Sequence, residues 1–281
     1  MVNKTLESAM GLLSSQILVF VDHLRGRRYN SFRVGLGNSE AKAMLSESSR
    51  TLALESPTDD ELTRAERLCR AALCWYDQNG RHFPWRVTRD PYEILVAEMC
   101  LQKTNADRVL PVFEEIIERY PNVAALADAD LGDLSKYFSR LGLFKRGRFL
   151  LQIARAIVNH HGGVIPKDRD ALLKVTGIGD YTANSILCLA YGECLPLLDG
   201  STQRVLGRVF DRQADKPAWA NKRMRYFMQA ILPDDGAREF NLALIDIADK
   251  YCRPTKPKCD DCPVVDVCLS ANVTRKVPNG L

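Results

Sequence analysis

Four cysteines near the end of the chain restrict the fold more than any other feature. Cys252, Cys259, Cys262 and Cys268 read C-x6-C-x2-C-x5-C. Thiolates this close in sequence can wrap one site, and on chemistry alone zinc and a [4Fe-4S] cluster both suit it. The other five cysteines, Cys69, Cys74, Cys100, Cys188 and Cys194, are scattered through apolar stretches and read as buried small hydrophobes. An odd total of nine, so distributed, fits a metal site in a reducing compartment better than a disulfide framework.

The remaining constraints are broad. A chain of 281 residues can form one large domain or two small ones around a sizeable core. A formal net charge of +4 permits a nucleic-acid partner without demonstrating one. The apolar run Ile17 to Val21 is too short to span a bilayer, and Glu7, Ser14, Ser15 and Gln16 spoil a signal peptide. The expectation is a cytoplasmic monomer, nucleoid-associated if prokaryotic, with no membrane contact.

Residues 1–56 differ from the rest. Gly35, Gly37, Asn38 and Ser39 interrupt regular structure, so a weakly ordered extension is expected, with at most a short helix near Leu12 to Leu24. From Thr58 onward the pattern is helical. Thr58 suits an N-cap, with Asp59, Asp60 and Glu61 at the positive end of the helix that follows. Stripes then run through Tyr92, Leu95, Val96 and Met99, and through Val109, Phe113, Ile116 and Ile117 around Pro111. Leu126, Leu134 and Phe138 mark another helix, and Phe149, Ile153, Ala156 and Ile157 one that stops at Gly162 and Gly163. No segment alternates as a strand does, so the fold class is all-α.

The sharpest local signal is Leu172 to Ala183, L-L-K-V-T-G-I-G-D-Y-T-A. Gly177 and Gly179 flank Ile178 between two helical patterns. Glycines permit a tight turn and close backbone approach, and the N–H groups of the following helix can hold a phosphate. This segment resembles the hairpin of the helix-hairpin-helix DNA glycosylases that carry an iron–sulfur cluster, the HhH-GPD superfamily of endonuclease III, MutY and Mig. The family's hairpin reads L-x-G-[IV]-G-x-x-T-A. Val175 replaces its leucine here, and Thr176 stands where a proline often precedes the first glycine. An aspartate and an arginine follow in the family, matched by Asp199 and Arg204. The resemblance runs from about Trp75 to Cys268, with the MutY/Mig mismatch branch the most similar.

The resemblance implies a two-lobed helical fold with double-stranded DNA, containing a mismatch or damaged base, in the cleft. One lobe would comprise residues 57–85 with 196–272, and a six-helix barrel lobe with the hairpin residues 86–195, leaving 273–281 as a tail. It implies that the four cysteines hold a [4Fe-4S] cluster of structural role. Basic residues of that loop, Arg253, Lys256 and Lys258, would meet phosphates, as would Gly177, Gly179, Thr182 and Arg204.

Base excision makes the sugar cationic as the base departs, so a carboxylate near the sugar and an acid near the base are needed. Asp199, after the apolar Leu195 to Leu198, is the candidate carboxylate, although an aspartate here also reads as a helix N-cap. Glu98 lies among apolar neighbours in Leu95 to Thr104, so burial would raise its pKa and suit it as the acid; otherwise it is a solvent-facing helix residue. Gln102 would enter the gap left by the flipped base. Tyr181 occupies the position of the Schiff-base lysine of endonuclease III, and a phenol forms no imine. That implies a monofunctional enzyme, with Tyr181 lining the pocket or packing the hairpin. Trp85 and Tyr92 read as core, and Arg86 and Arg89 as surface charges or DNA contacts.

The base itself stays open between adenine opposite G or 8-oxoG and thymine opposite G. Glu98 and Gln102 match the MutY segment, whereas Lys103 and Leu143 depart from it, and the chain ends too soon after the cysteines for MutY's second domain. The alternatives are a bifunctional endonuclease III-like lyase, a non-catalytic DNA-binding module, and a zinc-bearing helical protein that binds another protein.

Overall fold

The computed structural model describes residues 56–271, and the extension and tail expected at residues 1–55 and 272–281 lie outside the described residues. The chain divides into units of residues 1–66 and 67–281. In the first, Thr58 and Glu61 form a reciprocal cap. Thr58 N donates to Glu61 Oε2 at 2.9 Å and Glu61 N to Thr58 Oγ1 at 3.2 Å. They open α1 (Asp59–Asn79).

Further α-helices and two single turns of 3-10 helix follow among the described residues, with no strand. The helices are α2 (Pro84–Val87), α3 (Pro91–Leu101), α4 (Ala106–Arg119), α5 (Val123–Ala127), α6 (Leu131–Arg140), α7 (Arg146–His161), α8 (Arg169–Lys174), α9 (Asp180–Tyr191), α10 (Gly200–Val209), α11 (Lys222–Ile231) and α12 (Ala237–Lys250). The all-α expectation holds. Local chemistry sets most boundaries: Asp90, Asn105, Asn122, Asp130, Asp168 and Asp199 each cap a helix through the side chain. Gly162 ends α7 in the left-handed conformation, as its sequence position requires.

Two expectations need correction. The single helix marked by Leu126, Leu134 and Phe138 is two, because Asp130 accepts from Asp133 N and starts α6 afresh. The apolar stripe of α3 is not a stripe, since Ile94 and Ala97 are buried as well as Tyr92, Leu95, Val96 and Met99. A helix buried on nearly every side is central to its core. It packs on α2, α4, α7 and α9.

One continuous apolar cluster runs from Phe83 to Leu197 and takes in Leu242 of α12. Trp85 and Tyr92 belong to it, as expected. Cys69, Cys100 and Cys188 are buried small residues, but Cys74 is exposed and Cys194 half-buried, so burial does not explain all five scattered cysteines. Helix α9, delivered by the hairpin, packs against α3, α8 and α12, while α10 packs on α12. These contacts bring the end of α3, the start of α9 and the start of α10 to one place. None of the described helices is long and apolar enough to cross a membrane.

Candidate active site

A cavity of about 1810 Å³ opens where those helix ends meet, walled by Glu98, Gln102, Tyr181, Asp199, Arg204 and Lys256 among others. Residues from four separate sequence segments thus converge. Gly177, Gly179 and Thr182 also line it, whereas Lys258 does not.

The hairpin forms as its glycines suggest, but the two serve different ends. Gly177 has φ +103° and a Cβ there would sit 3.2 Å from the Ile153 side chain, so both conformation and space demand glycine. Gly179 N-caps α9 with φ −98° and open space where a Cβ would go. Its lack of a side chain leaves the helix N-terminus accessible to an anion. Thr182, in the same first turn, is buried. Asp180 carries a negative charge at this point but is bracketed by two guanidiniums, Arg169 and Arg225, the latter at 3.1 Å.

Asp199 is the N-cap of α10, and its carboxylate is held rigidly. Oδ1 accepts from Thr202 N at 2.7 Å and Ser201 N at 2.9 Å, and the Ser201 hydroxyl donates to the same carboxylate at 2.7 Å. Thr202 Oγ1 completes a capping box by accepting from Asp199 N at 2.9 Å. The Ser201 hydroxyl also reaches Oδ2 at 2.9 Å, so both oxygens of the half-buried group are held at the cavity wall.

Glu98 is half-buried on α3, at the cavity wall, rather than a solvent-facing residue. Burial pushes its carboxyl up to about 7. Ser185 opposes the rise, the Asp199 charge adds to it, and Arg86 opposes it. Tyr181 is half-buried, packed on the core cluster and exposed to the cavity at once. Its phenol lies well above the ordinary value because of burial, reinforced by Glu98 and Asp199. Glu98, Tyr181 and Asp199 therefore act on one another electrostatically. Ser185, one turn beyond Tyr181 on α9, adjoins both Tyr181 and Glu98, and its buried hydroxyl has no partner in full hydrogen-bonding geometry.

Arg86 is not a surface charge, and it lies at the cavity wall. Its side chain is 7% exposed and forms a two-pronged pair with Asp246 of α12, 2.7 Å and 2.8 Å. Arg81 adds its backbone N–H at 3.0 Å and its Nε at 2.7 Å to the same carboxylate. Arg89 donates to Leu189 O at 3.0 Å, tying the loop before α3 to α9. Arg204 donates to Cys252 O at 2.6 Å and Ala248 O at 3.4 Å, so it braces the cysteine loop. Gln102 follows the last residue of α3 in extended conformation, and Lys103 after it has φ +57°.

The four cysteines lie within electrostatic reach of one another. Cys252, Cys259 and Cys268 each act electrostatically on Cys262, whose thiol burial pushes up to about 11. Backbone N–H bonds from Val264, Ala271 and Ser270 reach Cys262 and Cys268. Arg208 donates to Cys252 Sγ at 3.4 Å, while Cys268 Sγ approaches Arg208 O at 3.5 Å. Among the described residues no three His, Cys, Asp or Glu side chains converge closely enough to hold one metal ion. Thiols near enough to act on one another, with backbone N–H groups on two of the sulfurs, are of the residue type that ligates an iron–sulfur cluster.

Fold and hairpin together define a helix-hairpin-helix protein built to hold DNA. Comparison with known proteins carries this further. Residues 96–230 match the family described as HhH-GPD superfamily base excision DNA repair protein. A thymine-DNA glycosylase of Aeropyrum pernix is 38% identical over 74% of this chain and 96% of its own length. An adenine DNA glycosylase of Mycobacterium tuberculosis is 34% identical over 68% of this chain but 64% of its own. The solved structure of a thermostable thymine-DNA glycosylase superposes with a TM-score of 0.70 at 29% identity, covering 75% of this chain and 98% of that one. The chain belongs to the HhH-GPD superfamily of base excision DNA repair proteins, and it is a DNA glycosylase, an enzyme that hydrolyses N-glycosidic bonds.

Proposed function

We propose that this glycosylase is monofunctional and removes thymine or uracil paired with guanine. The observation that carries the reading is the arrangement of Glu98, Tyr181 and Asp199 around one cavity, with a phenol where an imine-forming amine would have to be. Similarity to a thymine-DNA glycosylase along 96% of its length supports the choice of base. So does the likeness to a thymine/uracil-DNA glycosylase of Methanothermobacter thermautotrophicus, 32% identical over 89% of its length.

In this reading double-stranded DNA lies between a lobe of residues 57–85 with 196–272 and a lobe of residues 86–195. The hairpin N–H groups at Gly177 and Gly179 hold a phosphate, with Lys256 and Lys258 on the cysteine loop as further phosphate contacts. The target nucleotide rotates into the cavity and Gln102 fills the gap it leaves. The glycosidic bond breaks with its electron pair going to the base, which takes the proton held by Glu98. The Asp199 carboxylate faces the sugar as positive charge develops. Water adds at C1′ and its proton returns to Glu98, so an abasic sugar and a neutral base result. Tyr181 packs beside the two carboxyl groups and supplies no imine. Cys252, Cys259, Cys262 and Cys268 would hold a [4Fe-4S] cluster, which supplies structural order to the loop carrying Lys256 and Lys258.

A second reading, adenine opposite guanine or 8-oxoguanine, is favoured by Glu98, since an acid protonated near neutrality suits a purine nitrogen, and by the likeness to an adenine DNA glycosylase. Asp199→Asn tests the core of the proposal. It should bind a T·G duplex as wild type does and lose excision, whereas full excision by that variant removes Asp199 from the mechanism.

A further inference from the structure

Trp219 is the most exposed large apolar side chain among the described residues, at 80%. An indole offers a large flat apolar face with a polar edge, which suits it to contact surfaces. Its position is also built with care. It sits in the single 3-10 turn Ala218–Ala220, whose flanks are fixed by a buried polar network. Gln203 of α10 donates to Lys216 O at 3.0 Å and accepts from Asn221 Nδ2 at 3.1 Å. Asn221 in turn caps α11 by accepting from Met224 N at 3.0 Å. Arg225 then links Trp219 to the hairpin, donating to Trp219 O at 3.1 Å and to Asp180 Oδ2 at 3.1 Å. A side chain exposed by accident has no need of such a mount.

The surroundings say what the indole meets. Trp219 lines the same cavity as Asp199 and Gly179. Exposed Lys216, Lys222 and Arg223 surround it in sequence, with half-buried Arg225 behind. A flat aromatic face amid cations, at a cleft that also holds the Asp199 carboxylate, has the composition of a nucleotide-stacking platform.

We propose that Trp219 is a DNA-stacking residue, its indole receiving the base or deoxyribose of a nucleotide that flanks the extruded one. This rests on the glycosylase reading of the cavity. The stacking face supplies affinity that is insensitive to salt, beside the salt-dependent phosphate contacts of the hairpin and the cysteine loop.

The test uses the full chain, with Trp219→Ala and Trp219→Phe beside wild type. Binding is measured across a salt series on a labelled duplex carrying a tetrahydrofuran abasic analogue opposite guanine. Base release is measured on T·G and A·G duplexes with enzyme in excess. Trp219→Ala should raise Kd about 5- to 150-fold, the range of one base–aromatic stack. The salt slope should stay that of wild type, and Trp219→Phe should recover most of the affinity. Wild-type affinity in Trp219→Ala overturns the proposal and leaves the indole as a surface for another protein chain. Equal losses in both variants with a lowered Tm also overturn it, since that outcome assigns a structural role. If wild type releases no base from either duplex while Trp219→Ala still loses affinity, the proposed choice of base fails and the stacking role stands.

Discussion

Glu98 offers two coupled readouts, one of rate and one of stability. Burial raises its carboxyl from the usual 4.5 to about 7. If the protonated form is the acid, kcat/KM for base release should be flat below that value and fall about tenfold per pH unit above it. With a pKa of about 7, roughly 90% of the enzyme is protonated at pH 6 and about 1% at pH 9, so the rate should drop about 90-fold between them. The stability effect has a definite sign. The folded state keeps a proton that the unfolded chain releases, so this contribution is fully present below pH 4.5 and is lost as pH rises through about 7. The shift sets an upper bound of about 3 kcal/mol, and solvent reaching the half-buried carboxyl reduces it toward about 1 kcal/mol. Glu98→Gln should therefore be more stable than wild type at pH 8 by about 1–3 kcal/mol, yet be the slower enzyme at pH 6 by about 10²–10⁴-fold. Single-turnover rates from pH 5.5 to 9 and urea unfolding at pH 5 and 8 read both effects. A flat wild-type profile, together with a Glu98→Gln variant as fast as wild type, would refute the assignment of the acid.

Three other outcomes follow from the geometry. Asp246→Leu leaves Arg86 buried and unpaired, which should cost about 3–5 kcal/mol and lower Tm by roughly 6–20 °C; adding Arg86→Met should restore most of the loss. Borohydride should fail to trap wild type on mismatched DNA, while Tyr181→Lys places an amine at that point and should yield a trapped adduct and strand cleavage; efficient trapping of wild type contradicts the monofunctional reading. Purified protein should absorb near about 400 nm, and Cys262→Ser should abolish that band and weaken DNA binding by disordering the loop; a colourless protein containing zinc contradicts the cluster.

Helix positions were legible because capping and burial are local. Asp90, Asp168 and Asp199 start helices through bonds to residues two or three positions away. The hairpin was legible for the same reason, although only Gly177 is demanded by its backbone. Glu98 was legible from its apolar neighbours, and the cavity places it with Asp199, 101 positions further along the chain. What sequence hid were partnerships across long separations. Arg86 reads as a free surface cation until Asp246, 160 residues away, is seen against it. Ser185 looks like any helix residue, and only packing of α9 on α3 places its buried hydroxyl beside Glu98 and Tyr181. Trp219 belongs to no sequence motif, and its exposure emerges only with the turn that Gln203 and Asn221 hold in place.

Base release under single-turnover conditions from T·G, U·G, A·G and A·8-oxoG duplexes, each beside its matched pair, tests the central claim most directly. Alkali after the reaction reveals abasic sites, and omission of alkali reveals any lyase step. The account predicts release of thymine and uracil opposite guanine, strand breaks only after alkali, and no release from matched pairs. Release confined to adenine, or breaks without alkali, would contradict it.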